Sequence, residues 1–169
     1  MKELAFLLNE MRDAGVVLDY ALFGAVAQMR YTEPVATLDA DVLVVIPASG
    51  SLDVLRDIYG FCAARGWQPE GEAIRVGEWP VQFVPVFSPL TSAAVEKSET
   101  VDFEGVPLRV VRADYLAALA LSVGRPKDSA RILALLESGS VTREQISRLA
   151  AEYALDEPWR RFQRRFLDG

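Results

Sequence analysis

The 169-residue chain contains no histidine and a single cysteine. Without an imidazole side chain, histidine-based catalytic triads, histidine general bases and the common zinc sites are excluded. The lone cysteine, Cys62, excludes an internal disulfide and is typical of a reducing compartment, so we expect a cytoplasmic protein. Its chemistry must therefore rest on carboxylates, amides, hydroxyls, lysine or arginine, and any bound metal ion.

Long apolar runs are also missing, because no segment approaches the roughly 18 to 20 residues that cross a bilayer. No membrane partner is therefore expected. The first 15 residues carry acids and lack a convincing cleavage site, which predicts an amphipathic helix rather than a signal peptide. The net charge of −6 argues against a protein that coats nucleic acid through its overall field. No G-x-G-x-x-G follows the first apolar strand, which excludes a dinucleotide-binding fingerprint.

Two aspartates lead directly into an apolar segment, within the sequence TLDADVLVVI. Side chains alternate along a strand, so Asp39 and Asp41 are expected on one face, with Leu38 and Ala40 pointing into a core. Two carboxylates placed in this way can share a divalent cation such as Mg²⁺. The alternative is that both are solvated residues at an exposed strand end, although aspartate is disfavoured in strands.

A glycine turn precedes these aspartates. Gly24 and Ala25 end a short apolar strand and open a helix that is predicted to run to about Tyr31. Glycine allows the backbone to approach a ligand closely, and the free N–H groups of a helix start can hold phosphate. Taken alone, Gly24 is equally typical of an ordinary turn.

The ordered unit of strand, Gly24-Ala25, helix and T-x-D-x-D resembles the nucleotidyltransferase superfamily. The resemblance is closest to the bacterial minimal and AbiEii-like nucleotidyltransferases, and it extends weakly as far as about Leu136. The usual motif of that superfamily is Gly-Gly or Gly-Ser followed by Asp-x-Asp, and here the matching positions are Gly24-Ala25 and Asp39-x-Asp41.

The resemblance implies metal-dependent transfer of a nucleoside monophosphate from an NTP to an acceptor hydroxyl on RNA or protein. It implies that Asp39 and Asp41 bind Mg²⁺ or Mn²⁺ and carry catalysis, while Gly24, Ala25 and Thr37 contribute to nucleotide binding. The AbiEii-like members further imply a toxin-like role, with a cognate antitoxin or another partner protein.

One position departs from the family pattern. The third acid of the superfamily lies on a neighbouring strand, where this sequence has Gln82. A glutamine carbonyl can ligate Mg²⁺ but cannot accept a proton from an attacking hydroxyl. Glu78 or Glu72 could supply a carboxylate instead, and Gln82 could equally be an ordinary polar strand residue. Together with Ala25, Gln82 supports an alternative function: a degenerate nucleotidyltransferase that binds nucleotide or a protein partner without turnover.

Cations occur ahead of a helix predicted from Ser129 to Leu136. Arg125 and Lys127 belong to an R-x-K-D run that resembles a Lys-Asp segment of related nucleotidyltransferases, and they are predicted to meet the triphosphate. The alternative is a plain helix start, with Asp128 near the positive end of the dipole. The last helix also carries four arginines on the flanks of its aromatic stripe. For these residues a solvated helix face is favoured over contact with RNA phosphates.

The alternation of elements predicts an α/β (α+β) fold: a small mixed β-sheet flanked by helices that pack on one side, with a C-terminal helical segment. A helix is expected from about Leu52 to Arg65, and a hairpin within residues 73–86. We expect residues 1–138 to form a nucleotidyltransferase-like domain and residues 139–169 a helical extension packed on it. A purely structural interaction domain is the third functional alternative.

Overall fold

A computed structural model describes residues 1–48 and 53–168 of the chain. The described residues form a mixed α/β fold. The strands are β1 (Asp19–Phe23), β2 (Ala40–Val45), β3 (Pro69–Glu70), β4 (Ala73–Val76), β5 (Trp79–Pro85), β6 (Glu99–Phe103) and β7 (Val106–Val110). The helices are α1 (Lys2–Asp13), α2 (Gly24–Gln28), α3 (Arg56–Ala63), α4 (Pro89–Glu96), α5 (Ala113–Val123), α6 (Pro126–Glu137), α7 (Arg143–Glu152) and α8 (Asp156–Phe166).

The strands form one seven-stranded sheet in the order β3-β4-β5-β2-β1-β7-β6. Strand β2 lies in the middle, antiparallel to β1 and parallel to β5, while β1 is parallel to β7. The hairpins β4–β5 and β6–β7 form the outer parts of the sheet, and β3 adds a two-residue edge strand that the sequence pattern did not predict. The predicted mixed sheet, including the hairpin within residues 73–86, is confirmed.

One face of the sheet is covered by α1. The apolar stripe of this helix is buried, and the Tyr20 hydroxyl of β1 donates a hydrogen bond to Asn9 Oδ1 of the helix at 2.8 Å. Tyr20 pairs with Val44 of β2, so Val42 and Val44 lie on this same face by strand alternation. Both valines are fully buried.

The opposite face of β2 carries Asp41 and Leu43, and it is covered by α4 and α5. Leu43, Thr91 of α4 and Leu116 of α5 line a common cavity on this side. The expectation that helices pack on one side only is therefore wrong. The physical reason is that beyond Asp41 the strand is apolar on both faces, and both faces must be removed from water.

Several helix ends differ from their predicted positions. Helix α2 ends at Gln28, three residues before Tyr31, and so consists of little more than one turn. Helix α6 begins at Pro126 rather than Ser129, because proline suits the first position of a helix, where no N–H is needed. Helix α3 begins at Arg56 in the described chain, and the predicted start at Leu52 lies outside the described residues.

The C-terminal helices pack onto the rest of the protein through their apolar faces. The predicted capping box of α7 is present: the Thr142 hydroxyl accepts from the Gln145 backbone N–H, and the Gln145 side chain accepts in return. Trp159 and Phe162 of α8 are buried, and the Trp159 indole N–H donates to Ser147 Oγ at 2.7 Å. The domain boundary at residue 138 remains a prediction. Among the described helices none combines the length and the apolar character required to span a membrane.

Candidate active site

The turn between β1 and α2 lies directly against Asp41. Phe23, the last residue of β1, pairs with Asp41 across the sheet, so the turn begins beside this carboxylate. Gly24 has φ +70°, a left-handed conformation that side-chain-bearing residues rarely adopt. A Cβ atom at Gly24 would overlap the Asp41 carboxylate. Glycine at position 24 therefore meets two requirements. It adopts the left-handed backbone conformation, and its lack of a Cβ atom lets the turn lie close to Asp41.

Asp39 lies in the loop just before β2, one residue before the strand begins at Ala40. Ala40 is fully buried as expected, but Leu38 is 90% exposed, so its predicted place in the core is wrong. The alternation that places residues inside or outside begins only where the strand is paired. The Thr37 hydroxyl donates to the Asp39 backbone carbonyl at 3.0 Å and lies 3.4 Å from Asp39 Oδ1, which orders this loop.

Asp39 and Asp41 open onto a cleft of about 770 Å³ between the β1–α2–β2 region and α6, which we call the Asp41 cleft. Five of the residues predicted from the sequence line it: Ala25, Thr37, Asp39, Asp41 and Lys127. The other lining residues are Gln28, Val35, Ala36, Leu38, Ala130, Arg131 and Ala134. The cleft thus has carboxylates on one wall and cations on the other.

The electrostatic surroundings of Asp41 oppose its ionisation. Burial raises the pKa of the Asp41 carboxyl above its usual value, and the neighbouring charge of Asp39 raises it further. Arg131, Lys127 and Arg125 act in the opposite direction on the same pKa but do not cancel the increase. A bound cation would favour the ionised form of the Asp41 carboxyl.

Arg131 is a cation of this cleft that the sequence analysis did not identify. Its side chain is 13% exposed, and its Nε donates to Gln28 Oε1 at 3.0 Å. Its Nη1 lies 3.4 Å from Oδ1 of Asp128, which is itself 1% exposed. Burial lowers the pKa of the Arg131 guanidinium, whereas Asp128 and Asp41 raise it. The Arg131 guanidinium is therefore held in place by two partners while it faces the acidic wall.

The signal that could have identified Arg131 is its spacing. It lies four residues after Lys127 and three after Asp128, so all three belong to neighbouring positions on α6. The sequence analysis began this helix at Ser129, which separated the cations from the helical pattern.

Asp128 and Arg125 together form the start of α6. Asp128 Oδ2 accepts from the Arg125 backbone N–H at 3.1 Å and from Arg125 Nε at 2.7 Å. This ion pair raises the pKa of Arg125. The plain helix start considered for this run is thus present, although Lys127 still lines the Asp41 cleft and Arg125 lines a neighbouring cavity.

Gln82 lies on β5 directly beside Asp41, because the parallel register pairs these two residues. Neighbours in a parallel pair share a face of the sheet, so the amide occupies the position where the superfamily pattern predicts a third acid. Gln82 pairs with Asp41 but does not itself line the Asp41 cleft or the neighbouring cavity. Glu72 and Glu78 do not line them either, and both are exposed in the turns on either side of β4. They do not supply the missing carboxylate.

The donor set fits a magnesium ion that arrives with a nucleotide. In the part of the chain that the structure describes, no group of three or more acidic, thiol or imidazole side chains could enclose a metal ion. Mg²⁺ is commonly held by one or two carboxylates together with substrate phosphates. The pair Asp39 and Asp41 matches this requirement, and the Gln82 amide oxygen is a further donor of the kind that Mg²⁺ accepts.

The fold defines the class: the chain has the fold of nucleotidyltransferase-like proteins. A crystal structure of an antigenic nucleotidyltransferase-like protein from Paracoccidioides brasiliensis is similar with a TM-score of 0.56 and 10% identity, covering 94% of this chain and 93% of that one. A solution structure of the antibiotic-resistance factor ANT(2″)-Ia is similar with a TM-score of 0.52 and 12% identity, covering 89% of each chain.

A crystal structure of ANT(2″)-Ia in complex with adenylyl-2″-tobramycin gives a TM-score of 0.51 at 12% identity, covering 96% of this chain and 97% of that one. At these identities the likeness establishes the fold alone. No family model and no curated protein sequence matches the chain.

Proposed function

We propose that this protein is a nucleotidyltransferase that moves a nucleoside monophosphate from an NTP to an acceptor hydroxyl on RNA or protein. The observation that carries the proposal is the close packing of Gly24 against Asp41, opposite the cations of α6. A turn of this conformation is needed where backbone must come close to a carboxylate and a ligand. An ordinary turn would not require the space beside Asp41 to stay free of a Cβ atom.

In this proposal Asp39 and Asp41 hold Mg²⁺ or Mn²⁺, with the Gln82 amide as a further ligand. The metal would neutralise the phosphate oxygens and orient the triphosphate. Lys127 and Arg131 face the same cleft and would bind the phosphates, because fixed cations offset the charge that develops during transfer.

Phosphate binding rests on these cations more than on the dipole of α2, which is only five residues long. Ala25 and Thr37 line the cleft and would contact the nucleotide. Gly24 and Arg125 do not line this cleft; they line the neighbouring cavity.

The reaction is an in-line displacement at the α-phosphorus. The acceptor oxygen forms a bond to this phosphorus, the bond to the bridging oxygen breaks, and pyrophosphate leaves. Gln82 cannot take the proton of the acceptor hydroxyl, and Asp128 is committed to Arg125 and Arg131. The proton would therefore pass to water or to a phosphate oxygen of the substrate.

The second candidate function is nucleotide or partner binding without turnover. Its supporting observation is the register of β5, which places an amide beside Asp41 where a carboxylate would act as a base. The transferase and a nucleotide-binding protein without turnover both require Mg²⁺–NTP binding in the cleft, and they differ in whether transfer follows. A protein that binds only a partner would show neither.

The test uses purified protein with each α-labelled NTP, in Mg²⁺ or Mn²⁺, and total RNA, cell lysate and the protein itself as acceptors. Asp41→Ala is measured in parallel, with the exposed Asp102→Ala as a matched control. We expect covalent label with the parent and with Asp102→Ala, and none with Asp41→Ala. Metal-dependent thermal stabilisation by NTP without label in any reaction would favour binding alone. Absence of both would refute the nucleotide site.

The resemblance to AbiEii-like enzymes adds a biological prediction, namely a toxin that a cognate antitoxin or another partner protein controls. Induced expression of the parent chain should arrest growth, whereas the Asp41→Ala variant should not. Equal growth with both variants would contradict the toxin role without affecting the transferase proposal.

A further inference from the structure

Two further surface depressions lie near the Asp41 cleft, around the C-terminal end of α5. The first is a cavity of about 200 Å³ beside Gly24, lined largely by apolar residues, which we call the apolar cavity. The second is a groove of about 270 Å³ where the end of α5 meets α6 and α8, which we call the arginine groove. Both are lined by Ala120, Ser122 and Val123, so they lie on either side of the same helix end. Arg131 lines both the Asp41 cleft and the apolar cavity.

Cations line both depressions. Arg161 and Arg165, one helical turn apart on α8, line the arginine groove. Arg125 lines the apolar cavity, where the buried Asp128 carboxylate pairs with it. After Glu157 the remainder of α8 carries four arginines and no carboxylate. The contacts of Arg161 with Glu157 are long, at 4.0 Å between Nη2 and Oε1, and both side chains are more than half exposed. Such a pair leaves the cation available for another anion.

Exposed aromatic rings accompany the cations. Phe87, which is 77% exposed, lines the apolar cavity, and Phe166, which is 38% exposed, lines the arginine groove. Val123 is also more than half exposed and borders both. Apolar side chains grouped on a surface and bordered by polar residues are typical of interaction sites.

We propose that the apolar cavity and the arginine groove form a track for single-stranded nucleic acid, which delivers the end of the strand to the site at Asp41. Arg161 and Arg165 would contact phosphates, and the exposed ring of Phe87 would stack on a base. The ring of Phe166 already contacts Phe162 and Arg165 and would complete the wall of the groove. Base stacking beside a cationic groove is the chemistry by which single strands are bound without sequence reading. This inference rests on the proposed transfer function and names its acceptor.

The charge of the lining residues separates this acceptor from a polycationic one. The acids that line the three depressions are Asp39, Asp41 and Asp128, of which the last is 1% exposed and paired with arginines. A cationic acceptor would therefore meet arginines without free carboxylates outside the catalytic pair. A polyanion is attracted by the same arrangement, although the chain as a whole carries a net charge of −6.

The experiment measures fluorescence anisotropy with labelled twelve-nucleotide RNA and DNA of one sequence, and with the corresponding duplexes, at several KCl concentrations. The variant Arg161→Gln/Arg165→Gln is compared with Arg143→Gln/Arg148→Gln, which removes two exposed arginines of α7. We expect the parent to bind the single strands at least tenfold more tightly than the duplexes. The tighter of the RNA and DNA strands identifies the sugar of the acceptor.

The charge variants have a quantitative expectation. Removing two phosphate contacts should make the negative slope of log K against log[salt] shallower by about 1.4, since each contact contributes about 0.7 to its magnitude for single strands. The α7 control should retain the parent slope. Phe87→Ala should weaken single-strand binding about fivefold or more, as expected for one lost stacking contact.

Several results would overturn the track. These are no single-strand binding at low salt, equal binding of duplexes, or parent-like affinity of the Arg161→Gln/Arg165→Gln variant. Binding of anionic vesicles by the parent that this variant loses, with oligonucleotide binding unchanged, would assign the arginines to a lipid surface instead.

The thermal stabilisation by Mg²⁺–NTP is measured on the same variants. If the Arg161→Gln/Arg165→Gln variant keeps this stabilisation, a failed oligonucleotide-binding result refutes the track and leaves the nucleotide site intact. If the parent shows no stabilisation by Mg²⁺–NTP, the proposed transfer function itself is refuted.

Discussion

The close contact between Gly24 and Asp41 can be tested with one methyl group and a matched control. Gly24 and Gly15 have nearly the same left-handed conformation, with φ +70° and +72°. A Cβ atom at Gly15 would meet nothing within 4 Å, whereas one at Gly24 would overlap the Asp41 carboxylate. Gly15→Ala therefore measures backbone strain alone, and Gly24→Ala measures the same strain plus the displacement of Asp41.

The magnitudes follow from these two contributions. An alanine in the left-handed region costs about 1–2 kcal/mol. For a chain of this size, each 1 kcal/mol lowers the melting temperature by roughly 2–4 °C. Gly15→Ala should therefore lose about 2–8 °C. Gly24→Ala should lose about 1–3 kcal/mol more, the usual cost of an added group in a packed place.

The assay follows unfolding by heat with and without Mg²⁺–ATP. Gly15→Ala should show the same nucleotide-dependent increase in melting temperature as the parent, and Gly24→Ala should show none, because its Asp41 carboxylate is moved from the cleft. Equal destabilisation of both variants, together with equal nucleotide-dependent stabilisation, would refute the reasoning that Gly24 is required by its contact with Asp41.

Three further predictions follow from the structure. Gln82→Glu restores a carboxylate of the same length beside Asp41, and it should raise the transfer rate about 100-fold, as a positioned general base does. Asp128→Asn leaves the mostly buried Arg131 without its charged partner, and it should lower the free energy of unfolding by about 3 kcal/mol, measured in urea. Burial raises the pKa of the Cys62 thiol to about 11, so a thiol reagent at pH 8 should label the unfolded but not the native chain. Because this folded-state pKa lies above the unfolded value of about 8.5, stability should fall as the pH rises from about 9 to 11.

Each of these predictions has a contradicting outcome. An unchanged rate in Gln82→Glu would show that proton removal does not limit transfer. Glu157→Gln, which affects only exposed and long ion pairs, should change the free energy of unfolding by less than about 0.5 kcal/mol. An Asp128→Asn effect of the same small size would contradict the role of the buried pair. Rapid labelling of Cys62 in the native protein would contradict its burial.

Local patterns were sufficient to predict much of the fold. The apolar stripe of α1, the buried Cys62, the capping box of α7 and the hairpin β4–β5 all depend on residues within one turn or one strand pair. The two-residue strand β3 was missed, because such a short segment has no periodicity of its own. The coverage of both sheet faces was also missed, since it depends on which distant helix packs on which side.

The sequence by itself determined which chemical groups are available. It excluded histidine chemistry, and it placed two aspartates shortly after a glycine turn. It also placed an amide where the superfamily pattern expects a third acid. Spacing along the chain was sufficient for the aspartates and the glycine turn, because β1, the turn and β2 are consecutive and their contact is local. The position of Gln82 beside Asp41 depends instead on the register between β2 and β5.

Only the tertiary structure decided which cations face these aspartates. Arg131 and Gln28 are 103 residues apart and share a hydrogen bond, while Asp128 is buried between Arg125 and Arg131. This arrangement arises because α6 packs against α5 and α2, and α2 follows β1 directly beside Asp41. Periodicity within a segment reports which face of a helix is apolar, but the partner of that face is set by packing across the whole chain.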